Sequence, residues 1–218
     1  MILYGSTLSP FVRKVAAFAT EKGLEFELKP TRIADDDRDF CAASPFRKMP
    51  ALQDGDYCLA DSSAICHYLE AKHRDPALIP SDPQARGKTV WFDEFADTIL
   101  FGCGQKVFFN RIVAPRFLGR SGDEALAETA LRDELPPILD YLERVVPDEG
   151  GYLVGNSLTL ADLAVASPFA NFVHLNVEFD GAKHPRTKAY VERILDRPSF
   201  KPLVEREAAF LERTAVPA

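Results

Sequence analysis

The first 76 residues alternate short apolar runs with segments of helical periodicity. Ile2–Tyr4 is an apolar run of strand length and predicts a buried strand. From Phe11 onward apolar residues recur at helical spacing, and Gly23 marks the predicted end of that helix. Segment 24–28 then alternates apolar and charged residues, as a half-buried strand does. Together these elements predict a βαβ unit.

A hairpin and a helix complete this first part of the chain. The turn signal Asp54-Gly55 separates the apolar runs 51–52 and 57–59, which predicts two antiparallel strands. A helix is predicted over 62–72, and one more lies in the polar stretch before the hairpin. The resulting order, β-α-β-α-β-β-α, is typical of a small mixed sheet covered by helices.

Beyond residue 84 the strand patterns stop and only helical periodicity remains. The predicted helices are 84–110, 123–146, 160–175, 185–196 and about 200–212, which together form a helical bundle. The proline-punctuated segment 77–83 is a linker in this interpretation. We therefore predict two domains, an α/β domain over 1–76 and an all-α domain over 84–218.

Composition and charge exclude several classes of function. The 218-residue chain has a formal net charge of −7 and no basic stripe, which argues against nucleic-acid binding. The N-terminal segment lacks a basic stretch followed by a long apolar run, so we predict no signal peptide, no membrane association and a cytoplasmic location. The four cysteines and four histidines are scattered without metal-ligand spacing, which predicts neither a metal site nor a disulfide framework.

Ser9 is the first candidate for chemistry. It lies between the first strand and a helix that begins with Pro10, a residue suited to the first helical position because it lacks an N–H. The free N–H groups of such a helix end carry partial positive charge and stabilise an anion, including a thiolate. Serine at this position is also a common N-cap without chemistry. Ser6, Thr7 and Tyr4 offer other hydroxyls in the same turn; Ser9 ranks first because it alone precedes the Pro-Phe helix start, and Ser6 ranks second.

Two more segments carry groups suited to a peptide-like ligand. The Met49-Pro50 bond is a candidate for the cis form, which would turn the Met49 backbone outward to pair with a ligand. Ser62 at a helix N-terminus offers a hydroxyl and N–H groups to a carboxylate, and Asp61 offers charge to an ammonium. Each also has a structural alternative, a loop end for Met49-Pro50 and helix caps for Asp61 and Ser62.

The order of these segments, followed by an all-helical second part, resembles the glutathione S-transferase family over essentially the whole chain. Ser9-Pro10-Phe11 with Arg13 resembles the serine motif of the tau class and of many bacterial members. Lys48-Met49-Pro50 matches the segment that contains the family's cis-proline, and Asp61-Ser62 matches the pair that grips the γ-glutamyl group. The resemblance implies a thioredoxin-like N-terminal domain that binds glutathione, a helical C-terminal domain that supplies the acceptor pocket, and a homodimer.

The same resemblance implies a mechanism, in which Ser9 donates a hydrogen bond to the glutathione thiolate and the thiolate attacks a hydrophobic electrophile. The implied glutathione-binding residues are Ser9, Lys48, Met49, Pro50, Asp61 and Ser62. An apolar acceptor pocket that faces Ser9 is predicted from Phe11, Phe95, Ile99, Cys103 and Phe108, with Phe109, Phe169 and Phe172 as further candidates.

Two other functions stay open on the sequence alone. A glutathione-transferase-like binding or regulatory module without turnover has no physical need for Ser9, Lys48, Asp61 and Ser62, and their presence argues against it. A glutathione-dependent isomerase or lyase would use the same thiolate on a different acceptor. Serine rather than cysteine at position 9 disfavours disulfide exchange.

A last motif has a structural role. Thr159 and Asp162 form a capping motif at the start of predicted helix 160–175, where the resemblance implies the family's folding signature. Loss of the Thr159 cap is expected to cost about 1 kcal/mol of stability.

Overall fold

The computed structural model describes residues 1–32, 35–148, 150–178 and 181–214. Its four strands are β1 Ile2–Tyr4, β2 Glu27–Lys29, β3 Ala51–Asp54 and β4 Tyr57–Ala60. They form one mixed sheet in the order β2-β1-β3-β4. β1 runs parallel to β2 and antiparallel to β3, and β3 runs antiparallel to β4. The predicted small mixed sheet and its hairpin are therefore confirmed.

Three helices accompany this sheet: α1 Pro10–Glu21, α2 Arg38–Ala43 and α3 Ser62–Lys72. Pro10 occupies the start of α1, as predicted. Aspartates cap the other two, because Asp37 accepts a hydrogen bond from Phe40 N and Asp61 accepts one from Ala64 N. The predicted order β-α-β-α-β-β-α is thus confirmed and gives the first part its thioredoxin-like architecture.

The second strand begins later than the predicted segment 24–28. Gly23 adopts a positive φ of 67° after the end of α1, and Leu24 N donates a hydrogen bond to Ala19 O. This bond belongs to a Schellman motif, which ends the helix and occupies the amide of Leu24. The strand ladder therefore starts only at Glu27, opposite Ile2.

Every described element after α3 is helical. From Pro83 to Phe117 the chain stays helical, but π-helical segments at Phe95–Leu100 and Phe109–Val113 separate α4 Pro83–Glu94, α5 Phe101–Phe108 and α6 Ala114–Phe117. Periodicity alone predicts one helix over 84–110, because a π-helical turn adds a residue without changing composition. The other helices are α7 Glu124–Thr129, a π-helical segment Ala130–Glu134, α8 Leu135–Val145, α9 Leu160–His174, α10 Pro185–Leu195 and α11 Lys201–Arg213.

Helix α9 lies at the centre of the molecule. Residues 160–172 of this helix are all buried, and it packs against α1 of the first part and α4 of the second. At its start Thr159 N donates to Asp162 Oδ2 at 2.9 Å, which forms the predicted cap. Asp162 Oδ1 also accepts from Tyr190 Oη at 2.7 Å and from Leu153 N at 2.9 Å. The cap therefore joins α9 to α10 and to the preceding loop.

The change from a sheet to helices falls where the sequence predicts it. All four strands lie within residues 2–60, and α4 begins at Pro83, the last residue of the predicted linker. The domain limits 1–76, 77–83 and 84–218 remain our proposal for how the chain divides. No helix in the described ranges combines the length and the apolar character needed to cross a membrane.

Candidate functional site

The sheet register gathers three loops at one edge of the sheet. Tyr4, at the end of β1, pairs with Ala51, at the start of β3, and Ala51 pairs in turn with Ala60, at the end of β4. The loop after β1, the residues before β3 and the loop after β4 therefore start from neighbouring positions. These are the three segments that carry Ser9, Met49-Pro50 and Asp61-Ser62.

Gly5 shows how closely two of these loops approach each other. Its φ is +142°, and a Cβ atom at this position would lie 2.5 Å from a methyl group of Val12 and 3.2 Å from Met49 Cβ. Only glycine fits between the first helix and Met49 in this conformation. The Met49–Pro50 bond itself is cis, as predicted.

Ser9 occupies the N-cap position of α1 but does not act as a side-chain cap. Its backbone is extended, with φ −75° and ψ 123°, and its hydroxyl makes no capping hydrogen bond. Ser9 N donates to Ser6 O, and Ser9 O accepts from Arg13 N. Because the side chain is partly exposed, its hydroxyl is accessible to a ligand at the positive end of α1.

The other hydroxyls of the turn lie in different surroundings. Tyr4 is buried and donates its Oη–H to Gln53 Oε1 at 2.7 Å. Burial raises the pKa of this phenol above its ordinary value, in spite of the nearby Lys29 ammonium. Thr7 is also buried, whereas Ser6 is partly exposed. Ser9 and Ser6 are thus the accessible hydroxyls of the turn, and the choice between them stays a prediction.

Ser44 holds the backbone ahead of the cis-proline. Its hydroxyl donates to Lys48 O at 2.7 Å and accepts from Lys48 N at 3.0 Å. The Lys48 side chain is exposed and Met49 is partly buried. This arrangement leaves the Lys48 ammonium free to reach a carboxylate at the surface.

Asp61 and Ser62 lie at the start of α3 but face different surroundings. Asp61 is exposed, has a φ of +83° and caps the helix. Ser62 is only 3% exposed, and its Oγ donates to Asp97 Oδ2 at 3.2 Å. The hydroxyl of Ser62 therefore already has a protein acceptor, and the N–H groups of the first turn of α3 are what this position offers to an anion.

A buried lysine connects this corner to the second part of the chain. Lys14 Nζ donates to Asp93 Oδ1 at 2.7 Å and to Asp97 Oδ2 at 2.6 Å. Burial lowers the pKa of Lys14, but the two carboxylates outweigh it and raise the pKa above the ordinary value. The sequence analysis did not select Lys14, Asp93 or Asp97. The spacing of the two aspartates, four positions apart in a predicted helix, was the signal that could have pointed to a shared partner.

A second buried cation, Arg13, joins α1 to α9 and α11. Its guanidinium donates to Glu207 Oε2 at 2.7 Å, to Asn171 Oδ1 at 2.8 Å and to Ser167 O at 2.6 Å. His174 Nε2 also lies 2.8 Å from Glu207 Oε2. Burial raises the pKa of Glu207, but Arg13 and His174 outweigh it and hold that pKa below its ordinary value.

The predicted acceptor residues fall into two groups, and the first lies near the start of α1, at Phe11 and against Leu8. Phe11 is partly exposed, and its ring lies 4.4 Å from that of Phe101, a residue that the sequence analysis did not select. Phe108 is buried in a cluster that the partly buried Leu8 contacts. Phe101 follows Asp97 by four residues, about one helical turn, and this spacing was the sequence signal that could have selected it.

The second group is placed elsewhere. Phe95 and Cys103 are buried in the main core, where burial raises the pKa of the Cys103 thiol to about 11. Ile99 is 48% exposed. Phe169 and Phe172 are buried with their rings 5.9 Å apart, and Phe109 is partly exposed next to Arg120. Among the described side chains, no group of three or more His, Cys, Asp or Glu residues is placed to hold a metal ion.

Comparison with known proteins identifies the family that this chain resembles in sequence. Residues 3–77 match the family model for the glutathione S-transferase N-terminal domain, and residues 109–207 match the model for its C-terminal domain. Glutathione S-transferase 3 of Zea mays is 34% identical over 93% of this chain and 92% of its own length. A glutathione S-transferase of Hyoscyamus muticus is 31% identical over 94% of this chain and 98% of its own.

A solved structure agrees with this result. The glutathione S-transferase of Methylobacterium radiotolerans, in complex with glutathione sulfonate, superimposes with a TM-score of 0.75 at 29% identity and covers 93% of both chains. The fold, the cis-proline and the relatives lead to one conclusion. The chain belongs to the glutathione S-transferase family and is a transferase whose co-substrate is glutathione.

Proposed function

We propose that this transferase activates the glutathione thiol through Ser9 and directs the thiolate onto a hydrophobic electrophile. The observation that carries this proposal is the Ser9 hydroxyl, which lies accessible at the N-terminus of α1 without a capping bond. In this mechanism glutathione sulfur is the nucleophile and Ser9 is a hydrogen-bond donor to it.

The energies are sufficient for this role. A free thiol has a pKa of about 8.5, and lowering it by about two units requires roughly 2.7 kcal/mol of preferential thiolate stabilisation. A hydrogen bond to a charged group contributes about 1.5 to 3 kcal/mol, and a helix N-terminus adds about 0.3 to 1 kcal/mol. Ser9 and α1 together therefore suffice without a general base.

We assign the other glutathione contacts to residues at the same edge of the sheet as Ser9. We assign the peptide portion to the backbone at Met49-Pro50, a carboxylate to Lys48 and to the first turn of α3, and the γ-glutamyl ammonium to Asp61. Asp61 supports this assignment because it is exposed and carries its charge at the same edge as Met49-Pro50. The acceptor site is supported best at Phe11, Phe101 and Phe108.

Two further properties are proposed with this function. Large apolar side chains are exposed on both parts of the chain, among them Phe46 at 86% and Trp91 at 49%. The family resemblance implies a homodimer, and we propose that exposed aromatic side chains such as Phe46 are buried in its interface. The cytoplasmic location also stays a prediction.

Calorimetric titration with glutathione tests the site. We expect the wild-type protein to bind glutathione, and Asp61→Asn to weaken binding by roughly 1 to 3 kcal/mol, the usual loss for a charged hydrogen bond. Asparagine keeps the acceptor that caps α3, so the thermal midpoint should stay close to the wild-type value.

Asp82→Asn is the matched control. Asp82 caps α4 in the same way, by accepting from Ala85 N at 2.9 Å. Its substitution should leave glutathione binding unchanged. If the wild-type protein fails to bind glutathione at millimolar concentration, the site assignment is wrong and the non-catalytic module becomes the better interpretation.

A further inference from the structure

Both backbone carbonyls that flank Ser9 accept hydrogen bonds from helix α9. Asn171 Nδ2 donates to Leu8 O at 3.2 Å, and Ser167 Oγ donates to Pro10 O at 2.7 Å. Ser167 and Asn171 are four residues apart, so they lie on the same face of α9. Both residues are buried.

These contacts matter most for the peptide unit that precedes Ser9. Pro10 lies inside α1 and is also held by the helix, whereas Leu8 lies outside any regular element. The Leu8–Ser9 peptide is held on one side by the bond from Ser9 N to Ser6 O and on the other by Asn171. Because the direction of a Cα–Cβ bond follows the backbone dihedrals, these bonds set the position of Ser9 Cβ, from which the hydroxyl extends.

Arg13 fixes the orientation of the Asn171 amide. A guanidinium can only donate, so the Asn171 oxygen must face Arg13 Nη2, at 2.8 Å. The amide nitrogen is then the atom that faces Leu8 O. Arg13 is itself held by Glu207 of α11, at 2.7 Å.

We propose that Ser167 and Asn171 are positioning residues of the reaction, which hold the Leu8–Pro10 backbone against α9 and so aim the Ser9 hydroxyl at the glutathione sulfur. This inference rests on the proposed function of Ser9. It assigns a part in thiol activation to the second part of the chain, which supplies neither the hydroxyl nor the helix N-terminus.

Ser167→Ala is the cleanest test of this role. It removes the hydroxyl that holds Pro10 O but keeps the Ser167 carbonyl that accepts from Arg13, and alanine suits a buried helix. The pKa of bound glutathione, measured from thiolate absorbance against pH, should rise by about half to one unit, because the hydrogen bond from Ser9 to the thiolate is partly lost. Below that pKa, kcat should fall about three- to tenfold.

At a pH below the thiol pKa, where bound glutathione is protonated, the affinity for glutathione should change less than about twofold, since the peptide and γ-glutamyl contacts lie on the other loops. Ser167→Thr, which keeps the hydroxyl, should restore the wild-type thiol pKa. Asn171→Ala provides an independent second variant and should shift the pKa in the same direction. Val165→Ala, a buried truncation in the same helix, should lower stability and leave the thiol pKa unchanged.

The double variant Ser9→Ala/Ser167→Ala separates the two proposals. If Ser167 acts through Ser9, the double variant has the same thiol pKa as Ser9→Ala alone. If Ser9→Ala raises the pKa while both Ser167→Ala and Asn171→Ala leave it at the wild-type value, the positioning role is wrong and the role of Ser9 stands. If Ser9→Ala itself leaves the pKa unchanged, both proposals fall.

Discussion

The four hydroxyl side chains that the sequence places in one turn differ in burial and in hydrogen-bond partners. Tyr4 is buried and donates its hydroxyl to Gln53, and Thr7 is buried as well. Ser6 and Ser9 are both partly exposed, but Ser9 alone occupies the N-cap of α1. A hydroxyl at that position lies within the positive field of the helix end, which is where a thiolate is stabilised.

Substitution of each serine in turn distinguishes the two. Ser9→Ala should raise the pKa of bound glutathione by about one to two units, because a hydrogen bond of about 1.5 to 3 kcal/mol to the thiolate is removed. Conjugation of an electrophilic aryl substrate should slow, and its rate profile should move to higher pH. The measurement is thiolate absorbance against pH.

Ser6→Ala serves as the comparison and should leave the titration curve unchanged. A shifted curve for Ser6→Ala together with an unchanged one for Ser9→Ala would move the catalytic role three residues upstream.

Contacts between helices determine how the elements hold the site. Helix α1 carries Arg13 and Lys14 in succession, and the two side chains are buried against different helices. Arg13 pairs with Glu207 of α11, and Lys14 pairs with Asp93 of α4. A buried cation is costly unless it is paired, so each contact fixes α1 against its neighbours.

Removal of the charge on α11 should destabilise the protein. Glu207→Gln leaves Arg13 buried without its carboxylate, and the expected loss is about 3 to 5 kcal/mol in the free energy of unfolding at pH 7. Glu205→Gln, at an exposed position of the same helix, should change stability by less than about 0.5 kcal/mol. Denaturant titration of both variants and the wild type measures these differences.

The Arg13–Glu207 pair also predicts how the stability difference between the wild type and Glu207→Gln depends on pH. The folded-state pKa of Glu207 lies below its ordinary value of 4.5, so the carboxylate stabilises the fold fully above that pH. The contribution is lost as the pH falls through the lowered value. The stability gap between wild type and Glu207→Gln should therefore be constant above about pH 4.5 and narrow below it. A gap that stays constant down to pH 3 would contradict the assignment.

The whole molecule is held together by these contacts between its two parts. Arg13 and Lys14 belong to the first part, and their acidic partners belong to the second. The buried helix α9 adds an apolar contact with α1. The first part therefore depends on the second for the acidic partners of Arg13 and Lys14, whereas its buried Lys22 pairs with Glu70 within the first part.

At the same scale, the exposed aromatic residues predict self-association. Light scattering should give a mass about twice that of the 24.2 kDa chain. Phe46→Ser should weaken the dimer, because this side chain is the most exposed of the large apolar residues described. Leu126→Ser, which replaces an exposed apolar side chain of α7, is the control and should leave the measured mass at the wild-type value. A monomeric wild-type protein at micromolar concentration would contradict the proposed dimer.

The sequence by itself determined the order of the elements and the local chemistry of the site. Pro10 and the Asp54-Gly55 turn act on the backbone within a few positions, so their effects can be deduced without knowledge of the fold. The cis bond at Met49-Pro50 is different, because the local preference of an X–Pro bond is for trans and the expectation of cis came from the family resemblance. The three loops of the site were predictable because they follow directly from the order and direction of the strands.

Tertiary structure alone decided which distant groups surround that site. The acids that pair with Lys14 lie 79 and 83 positions away, and the partner of Arg13 lies 194 positions away. It also decided that Phe95 and Cys103 lie in the core while Phe101 lies beside Phe11, because the π-helical segment Phe95–Leu100 rotates the helical faces away from a simple α-helical count. Packing between parts of the chain that are far apart in sequence sets these choices, and local periodicity carries no information about such packing.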